Sequence, residues 1–380
     1  MNPSQQLYAL FLQSMPDAGP VAVKQLLRQY PSADAFWNAP AAPALGNARS
    51  SVNVALASAW RAGETGSQWQ RAQVVQTRLI EHAVHLVSWR DDAYPPLLKQ
   101  TPDCPALLYV RGDLACLRQP QLAVVGSRNA SRAGLASASE FAAGLSAAGM
   151  VVCSGLALGV DGAAHRGALK AGGATTAVLG SGITTIYPGR HAQLAQEICE
   201  HGALISEFPL DTPPRPGHFP RRNRIIAGMC AGTLVIEAAL RSGSLITARL
   251  ALDYNREVFA VPGSIHNPCC KGNHALIREG AKLVETSAHV LEEITSLLSC
   301  HGMPTEAVVE QPVTVQARPT DAAARRVLAA VDEQPTSLDA IVDRTGMSAE
   351  ELAQTLLELE LTGWVELSGG GWQRVLATGT

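Results

Sequence analysis

Between Gln121 and about residue 298, short runs of consecutive apolar residues alternate with longer stretches whose apolar positions recur at helical spacing. The runs are LAVVG, MVVCSG, TTAVLGSG, ALISE, TLVIEA, EVFAVPG and KLVE. An uninterrupted apolar run has no face to give to water, so each such strand must be covered on both sides, and the intervening helices supply the cover. The pattern predicts an α/β fold over residues 121–300, a doubly wound, mostly parallel, Rossmann-like sheet. Residues 1–80 read instead as short helices. The segments LYALFLQSM and VAVKQLLRQY each carry an apolar face and meet at Pro16-Asp17-Ala18-Gly19-Pro20, which predicts a helical N-terminal module of the helix-hairpin-helix or SAM-like kind. Hairpin amides of that kind can hold a phosphate, but Asp17 stands where a glycine would help the contact, so a plain packing module is an equal reading. Residues 81–120, proline-rich with strand-like ends, form a connecting extension. Residues 301–320 have no periodicity and three prolines, which marks a linker. Beyond it, AAARRVLAAV, LDAIVDRTG and SAEELAQTLLELELTG read as three helices. A hairpin of Trp364–Leu367 and Trp372–Leu376 over Gly369-Gly370-Gly371 completes a C-terminal winged helix over 321–380.

Composition narrows the picture. With 380 residues, 47% of them hydrophobic and 17% charged, the chain can bury a sizeable core and is not mostly disordered. A net charge of −3 excludes a uniformly basic coat but not a local basic groove. The charge is unevenly placed: residues 1–300 hold 25 basic against 21 acidic side chains, and residues 321–380 hold four against ten. The opening MNPSQQLYALFLQSMPD has no basic segment ahead of its short apolar stretch, so no secretion signal is expected and the chain is expected to be cytoplasmic. Phe141–Val160 is uncharged for twenty residues, yet Gly144, Gly149, Gly155 and Gly159 interrupt it, and no membrane span is expected. The eight cysteines form no CxxC pair and have no histidines at ligand spacing, so neither a metal nor a disulfide framework is expected.

In an open parallel sheet, ligands collect where strand ends feed helix N-termini. Small, amide-rich loops follow several strands here: Gly126-Ser127-Arg128 with Asn129 to Ser131, then Ser154-Gly155, then Gly180-Ser181-Gly182, then Ser242-Gly243-Ser244. Glycines let backbone N–H groups approach an anion, and four such loops on one edge point to more than one phosphate. A dinucleotide fingerprint is absent, because Ser127 and Arg128 follow Gly126 where a second glycine belongs. No GxxxxGK[ST] run exists either, so nucleotide hydrolysis of that type is not expected. The segment PPRPGHFPRRNRIIAG sets Arg215, Arg221, Arg222 and Arg224 within ten residues beside His218 and Phe219. Guanidinium groups with an interposed ring suit a single-strand groove, the cation for phosphate and the ring for a base. Glu207 and Asp211 lie close in sequence but cannot neutralise all four. Asp161 and His165, four apart, share a helix face and could act as an acid/base pair; bracing and packing are the simpler roles. Glu237 could be a general acid at a strand end or a brace for an arginine.

These residues resemble the DNA processing protein A family. The stretches that carry the resemblance are GSRNAS, SGLALGVDGAAH, AVLGSGITTIYPGRH, LISEFP, FPRRNRIIAG, LVIEAALRSGSLITARLA and VFAVPG, together about residues 121–285. The resemblance implies a non-catalytic protein, without cofactor, that binds single-stranded DNA, protects incoming strands in natural transformation, forms a homodimer through the Rossmann-like domain and helps load the recombinase RecA. It makes Gly126, Ser127 and Arg128 the phosphate contacts, places a basic position at Arg190 with His191 beside it, and aligns Phe219, Arg221, Arg222 and Arg224 with the family's FPxRNRxI segment. An alternative from another class is a nucleotide-binding hydrolase, because GTLVIE is similar to part of the glycine-rich motif of nucleoside-monophosphate phosphoribohydrolases; the full PGGxGT run is missing. In the winged helix the recognition-helix candidate, Ser348–Thr362, carries Glu350, Glu351, Glu358 and Glu360 and no cation. It would meet phosphate with like charge, so a protein contact or an accessory packing role is expected.

Overall fold

The computed structural model describes residues 1–46, 48–300, 321–332, 335–361, 364–368 and 370–374. The chain divides into two compact units, Met1–Glu310 and Gln311–Thr380. The first unit begins with helices α1 (Pro3–Gln13), α2 (Pro20–Gln29), α3 (Ala33–Trp37), α4 (Ser50–Ala62) and α5 (Ser67–Glu81). Helix α1 starts in a capping box: the Asn2 side chain accepts from the Gln5 amide at 2.9 Å and the Asn2 amide donates to Gln5 Oε1 at 3.0 Å, while Pro3 sits where its missing N–H is not needed. In the α1–α2 turn Asp17 adopts φ 60, the left-handed region that aspartate tolerates better than most residues. Phe11 is the hub of these helices, its ring 5.5 Å from Phe36, 5.1 Å from Trp37 and 5.3 Å from Trp69. Burying one such ring contributes about 1.5–3 kcal/mol.

The chain then supplies β1 (His85–Ser88), α6 (Pro96–Lys99), β2 (Leu107–Gly112), β3 (Gln121–Val125), α7 (Arg132–Ala147), β4 (Val151–Ser154), α8 (Val160–Lys170), β5 (Thr175–Val178), α9 (Ala192–His201), β6 (Ala203–Ser206), α10 (His218–Met229), β7 (Gly232–Val235), α11 (Ser244–Asp253), β8 (Glu257–Ala260), α12 (Lys271–Arg278), β9 (Lys282–Leu283) and α13 (Ser287–Cys300). One sheet joins the strands in the order β1-β2-β6-β5-β4-β3-β7-β8-β9. The strands from β3 onward pair in parallel, whereas β2 pairs antiparallel with β6 and with β1. The extension thus adds two antiparallel strands to a parallel, doubly wound sheet. From β3 the chain winds outward through β4, β5 and β6, then returns to the other side of β3 with β7, so the sheet has its switch point between β3 and β7.

The apolar runs behave as their pattern predicts. Leu122 and Val124 of β3 join Ala138, Phe141 and Leu145 of α7 in one core, and Ala123 and Val125 join Ile225 and Ile226 of α10 in the other. That second core continues without a break into the N-terminal helices, through Tyr8, Leu12 and Leu26 to Leu108 and Tyr109. The Tyr109 hydroxyl donates to Gln13 Oε1, and Arg78 of α5 pairs with Asp211.

The second unit holds α14 (Ala322–Ala330), α15 (Leu338–Thr345), α16 (Ala349–Leu361) and the antiparallel pair β10 (Val365–Ser368) and β11 (Gly371–Arg374), in register Val365 to Arg374. Ser337 caps α15 by accepting from the Ala340 amide, and Gly346 ends it at φ 63. Val327, Ile341, Leu352, Leu356 and Val365 form its core. The acidic residues Glu350, Glu351, Glu358 and Glu360 are exposed on α16. The predicted linker 301–320, Thr362, Gly369 and positions 375–376 of the predicted second strand lie outside the described residues. Among the described residues no helix is long and apolar enough to cross a membrane, and no group of His, Cys, Asp or Glu could hold a metal ion.

Candidate nucleic-acid interface

The carboxyl ends of β3, β4, β5 and β6 lie side by side, and the first turn of α10 rests on them. Phe219 packs on Gly180, where a Cβ would lie 2.8 Å from its ring, and the adjacent His218 places Nδ1 3.2 Å from the Gly180 carbonyl. The Phe219 ring is flanked on one side by Tyr187, centroid to centroid 5.7 Å, and carries the Arg128 guanidinium at 5.3 Å. Arg128 and Arg190 are exposed and make no ion pair among the described residues. Tyr187 is 48% exposed. Arg128 and Tyr187 therefore reach solvent on either side of a half-buried Phe219 ring.

The Gly126–Ser131 turn is held rigidly from below. The Ser127 amide donates to the Glu237 carbonyl at 2.7 Å, and the Ser127 carbonyl accepts from the Val160 amide at 3.1 Å. Gly159, at φ 79, permits this approach, because a Cβ there would fall 2.2 Å from the Ser127 carbonyl oxygen. Ser131 caps α7 by accepting from the Gly134 amide at 3.0 Å. The amide of Ser131 itself donates to Glu237 Oε2 at 2.8 Å, and Asn267 Nδ2 reaches Glu237 Oε1 at 3.3 Å. Glu237 is 3% exposed. Its carboxylate thus fills the helix N-terminus at the switch point, where a doubly wound fold ordinarily receives a ligand phosphate. Among the described residues the glutamate braces the α7 N-terminus and Asn267, not an arginine.

Several residues expected at the ligand belong to the interior instead, and each has a physical reason. Arg222 is 4% exposed; its guanidinium donates to the carbonyls of Gly155, at 2.8 Å, and Val178. Carbonyls at the ends of β4 and β5 would otherwise be buried without donors, and burial holds the arginine's pKa below its usual value. Gly155 has no free group to offer: Arg222 takes its carbonyl, Asp161 Oδ2 accepts its amide at 3.2 Å, and the guanidinium occupies the space of a Cβ. Asp161 also accepts from Ala157 at 3.2 Å, so it braces this loop; burial raises its pKa, with the Arg222 charge and the two amides opposing. His165 points elsewhere, with Nδ1 2.7 Å from the Thr175 hydroxyl, and burial depresses its pKa to about 3. Ser154 is fully buried and donates to the Val124 carbonyl at 2.6 Å. The Gly182 amide donates to the Thr212 carbonyl at 2.8 Å beneath Leu210. His191 is buried with Nδ1 3.0 Å from the Leu156 carbonyl.

Arg224 pairs with Glu207 at 2.5 Å and donates to the Asp103 carbonyl. Glu207, buried at the end of β6, also binds Arg221 Nε at 3.1 Å, and the Arg221 guanidinium lies 5.3 Å over Phe208. Asp211 is used by Arg78, not by the arginine segment. In the fourth loop the hydroxyls of Ser242 and Ser244 bond each other at 2.7 Å, and Asn223 of α10 reaches the Gly243 carbonyl at 3.3 Å. Sequence reasoning missed Tyr187 and the hub role of Glu207. A carboxylate ending a fully apolar strand was the available sign, since it must find cations when buried; an aromatic residue before a proline in a glycine-rich loop was the other.

The family model described as DNA recombination-mediator protein A matches residues 85–295. The chain belongs to that family. A second model, the DprA winged helix domain, matches residues 311–371. Protein Smf of Escherichia coli K12 is 45% identical over 292 residues, 77% of either chain. DNA processing protein DprA of Streptococcus pneumoniae is 46% identical over 203 residues, 53% of this chain and 72% of its own. The crystal structure of DprA from that species superposes with a TM-score of 0.61 at 34% identity, covering 77% of this chain and 98% of its own. The DprA of Helicobacter pylori, solved for its single-stranded DNA binding mode, gives 0.50 at 28% identity over 57% of this chain and 96% of its own.

Proposed function

We propose that this recombination mediator holds single-stranded DNA along the carboxyl edge of its sheet, by phosphate contacts to Arg128, Arg190 and the Ser127 hydroxyl, with bases against Tyr187 and Phe219. The observation that carries the reading is the exposed Arg128, which has no carboxylate partner among the described residues, lying over the Phe219 ring with the exposed Tyr187 beside it, the combination that binds a strand without reading its sequence. In this reading the protein acts as a homodimer, catalyses no reaction and passes the strand, protected in transformation, to the recombinase RecA. The acidic winged helix stays off the DNA. The family membership and the single-strand binding mode of the Helicobacter pylori relative support it.

Titration with single- and double-stranded oligonucleotides across a range of salt tests it. For roughly five phosphates, at about 0.7 per phosphate, the slope of log affinity against log salt is expected near −3.5 for single strands. A slope indistinguishable from zero, or equal preference for duplex, defeats the reading. A fragment spanning 318–380 is expected to give no gel shift.

A further inference from the structure

Continuing along the same sheet edge past β5 and β6, the row of strand ends arrives at a cavity. It has a volume of about 200 Å³ and lies between the α1–α2 hairpin and the start of β2. Ala18, Val23, Pro105 and Phe208 are among its apolar walls, and Gln13, Glu207 and Arg221 bring polar groups to it. Gln13 has its amide oxygen held by the Tyr109 hydroxyl, which leaves N–H as the group it can offer. Arg221, with a side chain 42% exposed, lies two residues beyond Phe219 on α10 and so stands between the cavity and the Arg128 surface.

We infer that this cavity receives one unpaired nucleobase of the bound strand, which makes the N-terminal helical module part of the DNA site. The inference rests on the single-strand reading above. The volume is below the ~300 Å³ at which small-molecule pockets begin, so it suits one ring system and not a whole nucleotide. Apolar walls with a few polar groups suit a base, whose faces are apolar and whose edge carries donors and acceptors. The path from β3 to β6 crosses three inter-strand spacings, about 14 Å, so a strand whose phosphate meets Arg128 reaches the cavity a few nucleotides on.

The test compares a short single strand with the same strand made abasic throughout, on the wild type and on Ala18→Trp, which fills the cavity from the hairpin. The wild type is expected to prefer the intact strand, and Ala18→Trp to lose about fivefold affinity or more for it while holding the abasic strand unchanged. Should the variant fail to fold, 2-aminopurine walked along a strand bound to the wild type decides: one position becomes shielded from acrylamide while its neighbours stay accessible. An intact-strand affinity unaltered by Ala18→Trp, or uniform accessibility of the probe, overturns the cavity assignment alone, whereas equal affinity of the wild type for intact and abasic strands overturns it together with the base contacts to Tyr187 and Phe219. Failure of the wild type to bind either strand overturns the single-strand reading and this inference with it.

Discussion

Two groups of arginines approach the same edge of the sheet and do opposite things. Arg222 and Arg224 come from the densest positive segment of the chain, yet one is sunk among the Gly155 and Val178 carbonyls and the other is clamped by Glu207 and Asp103. Arg128 and Arg190 stand outside that segment, yet they reach solvent with no carboxylate partner among the described residues. Charge density along a sequence counts cations; it does not count the acceptors that folding brings to them. The helix end at Glu237 shows the same accounting with the sign reversed, since a site apt for a phosphate is already held by a carboxylate of the chain itself.

The contrast can be broken most strongly at Arg222. Arg222→Ala leaves two strand-end carbonyls and Asp161 without their cation and is expected to cost about 3–5 kcal/mol in urea unfolding; a loss below about 1 kcal/mol would place the guanidinium among the dispensable ones. Glu207→Gln is next. Loosening two arginines at once is expected to cost about 2 kcal/mol of stability in the same measurement. The interior of the edge is further sharpened by pH. His165 has a folded pKa of about 3 against about 6.5 when unfolded, so the unfolded state binds the extra proton, and stability is lost as pH falls from about 6.5 toward 3. Between about pH 7.5 and 5.5 that is about 1.4 kcal/mol, and His165→Asn should flatten this part of the profile. Arg128→Ala should have the smallest effect on folding, within about 0.5 kcal/mol. It should nevertheless reduce the salt dependence of strand binding by about 0.7, whatever the base sequence.

The sheet was legible because fully apolar runs leave no alternative to burial on both faces, and β3 to β8 fall on the runs from LAVVG to EVFAVPG. The extension was less so. His85–Ser88 and Leu107–Gly112 look like strand ends flanking prolines, and nothing local tells them to pair antiparallel at the edge beyond β6. At the site, Gly126, Ser127 and Arg128 could be picked from the turn that must follow the first parallel strand, and the structure keeps Arg128 exposed. Ser154, Gly182 and His191 could not be sorted the same way. Their roles depend on Val124, Thr212 and Leu156, residues 30 to 35 positions away whose carbonyls reach them only in the folded sheet.

The core that runs from Tyr8 and Phe11 through Tyr109 to the sheet has a thermodynamic corollary. Because no boundary separates helical module from sheet, neither can melt while the other keeps its packing. Calorimetry should therefore resolve the helices and the sheet as a single cooperative transition, and the winged helix, with its own closed core of Val327, Ile341 and Leu356, as a second and smaller one. Truncation near residue 80 would then not release a free-standing sheet. It would strip the cover from Leu108 and Tyr109 and lower the melting temperature of everything that remains.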